Sequence, residues 1–367
     1  MSDWIEKLTS EHIRTLSPYQ SARRLFSASE GKQQIWLNAN EAPEAAPSTI
    51  DYHAFNRYPD CQPDSLIQAY ARYAAVQHDQ VIATRGADEG IELIIRAFCQ
   101  ANKDNVLICP PTYGMYSISA ETFAVGVKKV PLNNDFSLDI DGIKAVIDNV
   151  NVVFLCSPNN PTGTLIEQSQ IIDVLELCKG KALVVVDEAY IEFCAETSVS
   201  NLLAPYPNLV ILRTLSKAFA LAGIRCGFTI ASPSIIQTLL KVIAPYPVPA
   251  PVAQIAAESL SEEGVARMQN RVKTLSTALN QLSEEIAGFD GLELVGDLHA
   301  NFVLFRHSLS TEIMQYLVSN NVFIRDQSKQ QYLENCLRIT VGSANQNAQL
   351  LRLLNSFFNE HDLGRDL

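Results

Sequence analysis

The run Ala182-Leu183-Val184-Val185-Val186-Asp187-Glu188-Ala189-Tyr190 decides the fold class. Five apolar residues follow one another without a charge and then stop at an acid. A half-wet antiparallel strand alternates polar and apolar side chains, whereas a strand covered on both faces reads as an unbroken β-branched run. Similar runs lie at Val81 to Ala83, Val106 to Cys109, Val125 to Val130, Val152 to Cys156, Leu209 to Leu212 and Gly227 to Ile230. Amphipathic stretches at about 87–101, 139–149, 167–179 and 233–243 separate them. This alternation predicts an α/β unit with a mostly parallel central sheet flanked by crossover helices.

Pro245-Tyr246-Pro247-Val248-Pro249-Ala250-Pro251 breaks the rhythm, because proline fixes its own φ and has no amide donor. It marks either a boundary or an ordered loop. Beyond it come long helical patterns to about residue 287, strands near 292–295, 301–305, 322–325 and 337–341, and helices at 311–319 and 344–359. These predict a smaller α+β domain. The expected organisation is a large domain over 45–260 and a small C-terminal domain over 261–367. Residues 1–44, too few to fold alone, are expected to dock on the small domain or on a partner subunit.

At 367 residues the chain is long enough for two domains with substantial cores. Its net charge of −12, with no dense block of Lys or Arg, excludes nucleic acid as the main partner, since affinity for a phosphate backbone rests on clustered cations. No Cys-x-x-Cys occurs among the eight cysteines, and several sit in apolar runs such as Val152 to Cys156, as expected of small buried thiols in a reducing compartment. The opening Met1-Ser2-Asp3-Trp4-Ile5-Glu6-Lys7 is mixed in charge and lacks the apolar core of a signal peptide. No apolar run approaches the ~18 residues that span a bilayer. A cytoplasmic protein with no membrane partner is expected.

Ligands of open parallel sheets bind beyond the carboxyl ends of the strands, so polar residues there carry the functional signal. After the first strand comes Thr84-Arg85-Gly86-Ala87-Asp88-Glu89, whose small residues let backbone N–H groups at a helix start approach an anion. The same residues also suit a plain cap by Asp88. Ser157-Pro158-Asn159-Asn160-Pro161-Thr162-Gly163 follows the fourth strand, a rigid turn able to hold an amide at a fixed angle. Asp187 ends the fifth strand, where a carboxylate needs a cationic or hydrogen-bonding partner unless water reaches it. Arg213-Thr214-Leu215-Ser216-Lys217 follows the sixth, with Arg225 shortly after. A lysine among apolar groups loses proton affinity and becomes a nucleophilic amine near neutral pH.

Pyridoxal phosphate needs a lysine for a Schiff base, an acid against its pyridine nitrogen, a donor to its phenolic oxygen and an anion site for its phosphate, and all four are present. No Gly-x-Gly-x-x-Gly follows a strand, and neither Gly-x-x-x-x-Gly-Lys-Ser/Thr nor His-Glu-x-x-His occurs. Dinucleotide, nucleoside triphosphate and zincin readings therefore lack their parts. The six histidines are scattered, and no metal is expected.

In this order, Asn160-Pro161-Thr162-Gly163, Asp187-Glu188-Ala189-Tyr190, Ser216-Lys217 and Arg225 resemble the fold-type I pyridoxal-phosphate-dependent aminotransferases over essentially the whole chain. More narrowly, Ser17-Pro18-Tyr19-Gln20, Leu37-Asn38-Ala39-Asn40-Glu41, Asn56-Arg57-Tyr58-Pro59 and Arg213-Thr214-Leu215-Ser216-Lys217-Ala218-Phe219 resemble the histidinol-phosphate aminotransferases. Phe323-Ile324-Arg325-Asp326 and Leu337-Arg338-Ile339-Thr340-Val341-Gly342 fit the same group. The resemblance implies that Lys217 bonds the cofactor and carries the exchanged proton, and that Asp187 keeps the pyridine nitrogen protonated. It implies too that Asn160 and Tyr190 bond the phenolic oxygen and that Tyr113 stacks on the ring. The phosphate would go to Ser216, Arg225, the backbone of Gly86 and Ala87 with Asp88 nearby, and Tyr58 of the neighbouring subunit, which makes the site a property of a homodimer. Arg338 would take the amino donor's carboxylate and, with Arg325, the other substrate's phosphate, while Tyr19 and Asn40 would touch the substrate end. The implied reaction is a ping-pong transamination between histidinol phosphate and 2-oxoglutarate, serving histidine biosynthesis. An aromatic amino-acid aminotransferase or a threonine-phosphate decarboxylase on the same scaffold is the alternative. A ligand-sensing regulator would need a DNA-binding module that these residues do not supply.

Overall fold

The computed structural model describes residues 34–44, 49–51, 53 and 55–360. In chain order β1 (Ile35–Trp36) and α1 (Asp64–Ala74) lead into β2 (Val81–Thr84), α2 (Gly86–Phe98), β3 (Asn105–Ile108), α3 (Met115–Thr122) and β4 (Gly126–Lys129). Then come α4 (Ile140–Val146), β5 (Val152–Cys156), α5 (Gln168–Leu177), β6 (Leu183–Asp187), β7 (Leu209–Thr214) and β8 (Gly227–Ala231). Seven of these strands form one sheet in the order β2-β8-β7-β6-β5-β3-β4. Two-sided burial explains the unbroken apolar runs: Val184 and Val186 join the core on one face and Val185 the core on the other, as a period of two requires.

One strand departs from the parallel expectation. β7, β6, β5, β3 and β4 run parallel, but β8 is antiparallel to both of its neighbours. Residues 215–226, which join β7 to β8, hold no helix longer than a 3-10 turn at Ala222–Ile224. With nothing to carry the chain back along the sheet, it reverses direction instead.

The chain continues through α6 (Pro233–Leu239), α7 (Ala250–Ser259), α8 (Glu262–Ala287), β9 (Glu293–Leu294), β10 (Phe302–Arg306) and α9 (Ser310–Ser319). It ends with β11 (Val322–Phe323), β12 (Arg325–Asp326), β13 (Cys336–Thr340) and α10 (Ala344–Glu360). The Pro-rich stretch is an ordered approach to α7 and not a boundary. Pro251 sits in the first turn of α7, where a missing amide goes unnoticed, and Ala253 and Ala256 share a core with Leu66 and Tyr70 of α1.

β12, β13, β10 and β9 form a second, antiparallel sheet in that order, and β1 pairs in parallel with β11. Leu275, Leu279, Leu282 and Ile286 turn one face of α8 into the core beneath this sheet, with Phe305 and Leu354. Met268, nearer the start of α8, belongs to the core of the large sheet. One helix thus crosses both cores. The two bodies also meet backbone to backbone, where Asp297 N donates to Thr162 O at 2.9 Å. A Cβ on Gly296, whose φ is +73°, would overlap Thr162 O, so glycine alone permits this approach.

A buried polar group lies under the large sheet's edge. Arg213 pairs with Glu188 at 2.8 Å and donates to Ser198 Oγ at 2.7 Å, and Glu188 Oε1 accepts from Val199 N at 2.8 Å. Nearby, burial pushes the Glu192 carboxyl up to about 7, with the Arg213 cation working against it. A raised acid stabilises the fold fully below its unfolded pKa, near 4.5, and that contribution is lost as pH rises through about 7. Glu192→Gln is therefore expected to change stability little near pH 4 and to increase it by about 3 kcal/mol above pH 7, measured by urea unfolding across that window. Parallel pH profiles for the two proteins would contradict this.

Candidate active site

The carboxyl ends of the parallel strands open onto a cavity of about 490 Å3, with Asp187, Asn160 and Lys217 on the large-sheet side and Arg325 and Arg338 on the side of the second sheet. Asp187 closes β6 and is buried. Tyr116 OH donates to its Oδ2 at 2.7 Å, and Ala189 N donates to its Oδ1 at 3.1 Å. Burial nevertheless pushes the carboxyl up to about 6 against those two hydrogen bonds.

Lys217 Nζ donates to Ala39 O at 3.0 Å and stands 5.7 Å from the centre of the Tyr190 ring. Burial, and then the Arg338 cation, lower its pKa to about 8, while Asp88 and Glu41 act in the other direction. About a tenth of such an amine is neutral at pH 7. Cys156, at the end of β5, also lines the cavity, but burial pushes its thiol up to about 12 and keeps it protonated.

Arg85, the N-cap of α2, makes no side-chain capping bond, and its own N–H donates to Glu89 Oε2 at 2.6 Å. Asp88, in the first turn of α2, accepts from Tyr113 OH at 2.9 Å and from Arg225 Nη2 at 3.1 Å, which removes the plain-cap reading. Gly86 has a φ of +76°, and a Cβ there would lie 2.7 Å from Arg225 Nη2. Glycine at 86 therefore lets the guanidinium close on the helix start, beside the cavity that Ala87, Asp88 and Arg225 line. The charge at that corner suits a phosphate group.

Tyr190 OH accepts from Asn40 Nδ2 at 2.8 Å. Asn40 is itself held by the second sheet, where its N donates to Thr340 Oγ1 at 2.9 Å and its carbonyl accepts from Asn301 Nδ2 at 3.1 Å. Arg338 donates to Asn160 Oδ1 through Nη1 and to Asn38 O through Nη2 at 3.1 Å. Arg325 is its cross-strand partner between β12 and β13. Among the described residues Arg325 Nη1, shielded from water, has no hydrogen-bond partner.

Of the residues singled out from sequence, Ala87, Asp88, Tyr113, Asn160, Asp187, Tyr190, Ser216, Lys217, Arg225, Asn40, Arg325 and Arg338 all line this one cavity. Gly86 abuts Arg225. Tyr58 is not in the lining; it is 81% exposed and stacks on Tyr246 at 4.5 Å. Tyr19 lies outside the described residues. Sequence reasoning missed Tyr116, whose one clue is its position a helical turn after Tyr113. It also missed Gln330, which accepts from Thr112 N at 3.0 Å and donates to Gln327 Oε1 at 3.0 Å, tying the loop before Tyr113 to the segment after Arg325. Among the described residues no group of His, Cys, Asp and Glu is placed to hold a metal ion, and no helix is long and apolar enough to cross a membrane.

Comparison with known proteins covers nearly the whole chain. A family model described as aminotransferase class I and II covers residues 30–357. The histidinol-phosphate aminotransferase of Pseudoalteromonas atlantica is 56% identical over 358 residues, which is 98% of this chain and 96% of that one. That of Pectobacterium atrosepticum is 51% identical over 339 residues, 92% and 94% of the two chains. The crystal structure of histidinol-phosphate aminotransferase from Sinorhizobium meliloti in complex with pyridoxal-5'-phosphate has a TM-score of 0.85 and covers 96% of this chain and 98% of that one; at 22% identity it shows the shared fold. The fold-type I architecture expected from the sequence is the one found, with its mostly parallel central sheet and smaller α+β body. Matched over nearly its full length by the family model and by relatives at half identity or better, the chain belongs to the aminotransferase class I and II family.

Proposed function

We propose that the protein transfers an amino group between histidinol phosphate and 2-oxoglutarate with pyridoxal phosphate as cofactor, a step of histidine biosynthesis. The observation that carries this reading is one cavity holding a desolvated lysine, Lys217, and a buried acid, Asp187, opposite the arginine pair Arg325 and Arg338. Pyridoxal phosphate, when bound, supplies an aldehyde that takes up an amino group and a ring that delocalises the electron pair left by a broken C–H bond. The cradle at Gly86 and Arg225 fits its phosphate, with Ser216 and the Gly86 and Ala87 N–H groups as donors and Asp88 orienting the guanidinium.

The roles of the chain's own groups follow from their surroundings. Lys217 Nζ is partly neutral near pH 7, so it can bond the aldehyde and can then hold and return the proton exchanged at the substrate carbon. Asp187 sets an anion against the ring nitrogen, where it favours the protonated form. Tyr190 accepts from Asn40, which leaves its own hydroxyl proton for the phenolic oxygen, with Asn160 as the second donor. Tyr113, held by Asp88, stacks on the ring.

Arg325 and Arg338 stand opposite one another, and like charges in that relation repel. An anionic group between them removes the repulsion and satisfies Arg325 Nη1. That arrangement favours a phosphorylated substrate over a bare aromatic amino acid. Asn40, in the cavity lining, borders the substrate end. The exposed aromatic face around Tyr58 and Tyr246, with Ile50 and Phe55 also exposed, is assigned to a second copy of the chain, so that Tyr58 reaches the neighbour's phosphate cradle. A reducing, cytoplasmic setting is supported by eight cysteines that are all unpaired.

Borohydride reduction of the protein with pyridoxal phosphate is expected to label Lys217 and no other lysine in a peptide map, and Lys217→Ala should abolish the label. Trapping at a different lysine would overturn the assignment. In steady-state assays histidinol phosphate should outperform phenylalanine and tyrosine as donor to 2-oxoglutarate. Arg325→Ala should raise KM for histidinol phosphate by about 10- to 100-fold and leave KM for glutamate nearly unchanged, because one charge-assisted hydrogen bond to phosphate is lost. A preference for aromatic donors would replace the substrate named here.

A further inference from the structure

We infer that Tyr116 is a positioning residue for the cofactor ring, its hydroxyl fixing the orientation of Asp187 and keeping that carboxylate ionised. The inference rests on the reading of Asp187 as the anion against the ring nitrogen. Tyr116 has no exposed surface. Its ring is clamped, stacked on Phe154 with centroids 4.9 Å apart and set edge-on to Tyr113 at 5.6 Å. From α3 the side chain reaches the end of β6, where its hydroxyl meets Asp187 Oδ2 at 2.7 Å. The two residues assigned to the face and the nitrogen of the ring, Tyr113 and Asp187, therefore both lean on this one phenol.

The direction of the hydrogen bond follows from charge. Burial and then the neighbouring Asp187 hold the phenol well above its ordinary pKa, so it stays protonated and donates. Donation to the ionised acid favours that form. The other groups facing Asp187 are Ala189 N, the Asp88 carboxylate from α2, the Lys217 amine, and the protonated Cys156 and Tyr190 side chains. Asp88 opposes ionisation and Lys217 favours it. Removing the Tyr116 hydroxyl thus deletes a donor while leaving every charge in place.

Pyridoxine 5'-phosphate isolates this contact, because it has no aldehyde and does not bond Lys217. Its equilibrium binding, followed by its fluorescence from about pH 5 to 8.5, would be compared in the unaltered protein, Tyr116→Phe and Asp187→Asn. The ligand's phosphate ionisation is common to all three and cancels in the comparison. The unaltered protein should lose affinity toward acid as Asp187 takes up a proton. Tyr116→Phe should move the midpoint of that acid limb up by about one pH unit, the tenfold effect of one hydrogen bond to a charged group, with affinity near pH 8 within about threefold. Asp187→Asn should lose the limb. If Tyr116→Phe overlays the unaltered protein while Asp187→Asn loses the limb, the role given to Tyr116 is wrong and the reading of Asp187 stands. If Asp187→Asn keeps the limb, that reading fails and this inference with it. Loss of binding by Tyr116→Phe at every pH would also overturn the inference, since the hydroxyl would then be shaping the pocket and not setting a charge.

Discussion

Desolvation at the carboxyl ends of β6 and β7 is the constraint around which the site is organised. It acts on two groups of opposite kind, pushing the Asp187 carboxyl up to about 6 and the Lys217 amine down to about 8. The same physical cause thus brings an acid and a base to either side of neutral pH, which no exposed pair of these residue types would show. Burying a carboxylate without donors would cost several kcal/mol, and the chain supplies two, one from the backbone at Ala189 and one from the phenol of Tyr116. The large sheet sets up this arrangement because its central strands β5, β6 and β7 are buried and end at the cavity with Cys156, Asp187 and Thr214.

The second body completes what the first begins. Residues 38–41 run between them: Asn40 is bonded to Thr340 and Asn301 on one side and to Tyr190 on the other, and Ala39 O receives the Lys217 amine. Arg338 reaches across to Asn160. The cationic wall is therefore joined to the wall that carries Lys217 and Asn160 by hydrogen bonds at several points, and α8 and the close approach at Gly296 join the bodies away from the cavity. Small relative shifts of the two bodies would be felt directly at Lys217 and Asn160.

Much of this was legible in the sequence because it depends on patterns of short range. An unbroken β-branched run that stops at a polar residue marks a buried strand and the edge where ligands bind, and that logic placed Asp187, Lys217, Asn160 and Arg225 at one edge. What could not be read depended on contacts between distant segments. The reversal of β8 follows from what the preceding connection lacks, and Gly227 to Ile230 looks like any other buried strand. The helix α3 is short and follows Pro110-Pro111, and its Tyr116 resembles an ordinary core aromatic until the end of β6 is brought to its hydroxyl. Ala39 contributes a carbonyl, which leaves no trace in residue type. α1 was not foreseen either, although Leu66, Ile67 and Tyr70 give it a buried face against the large core.

The pairing of β1 with β11 brings Ile35 against Val322, almost the full span of the described chain. A ribosome delivers the N-terminus first, so strand β8, ending at Ala231, can complete the seven-stranded sheet while β11 and β13 are still unmade. Through that interval residues 34–41 lack β11 and Thr340, the partners that hold them in the full fold. The carbonyl that receives the Lys217 amine is thus fixed by strands that leave the ribosome well after the lysine itself.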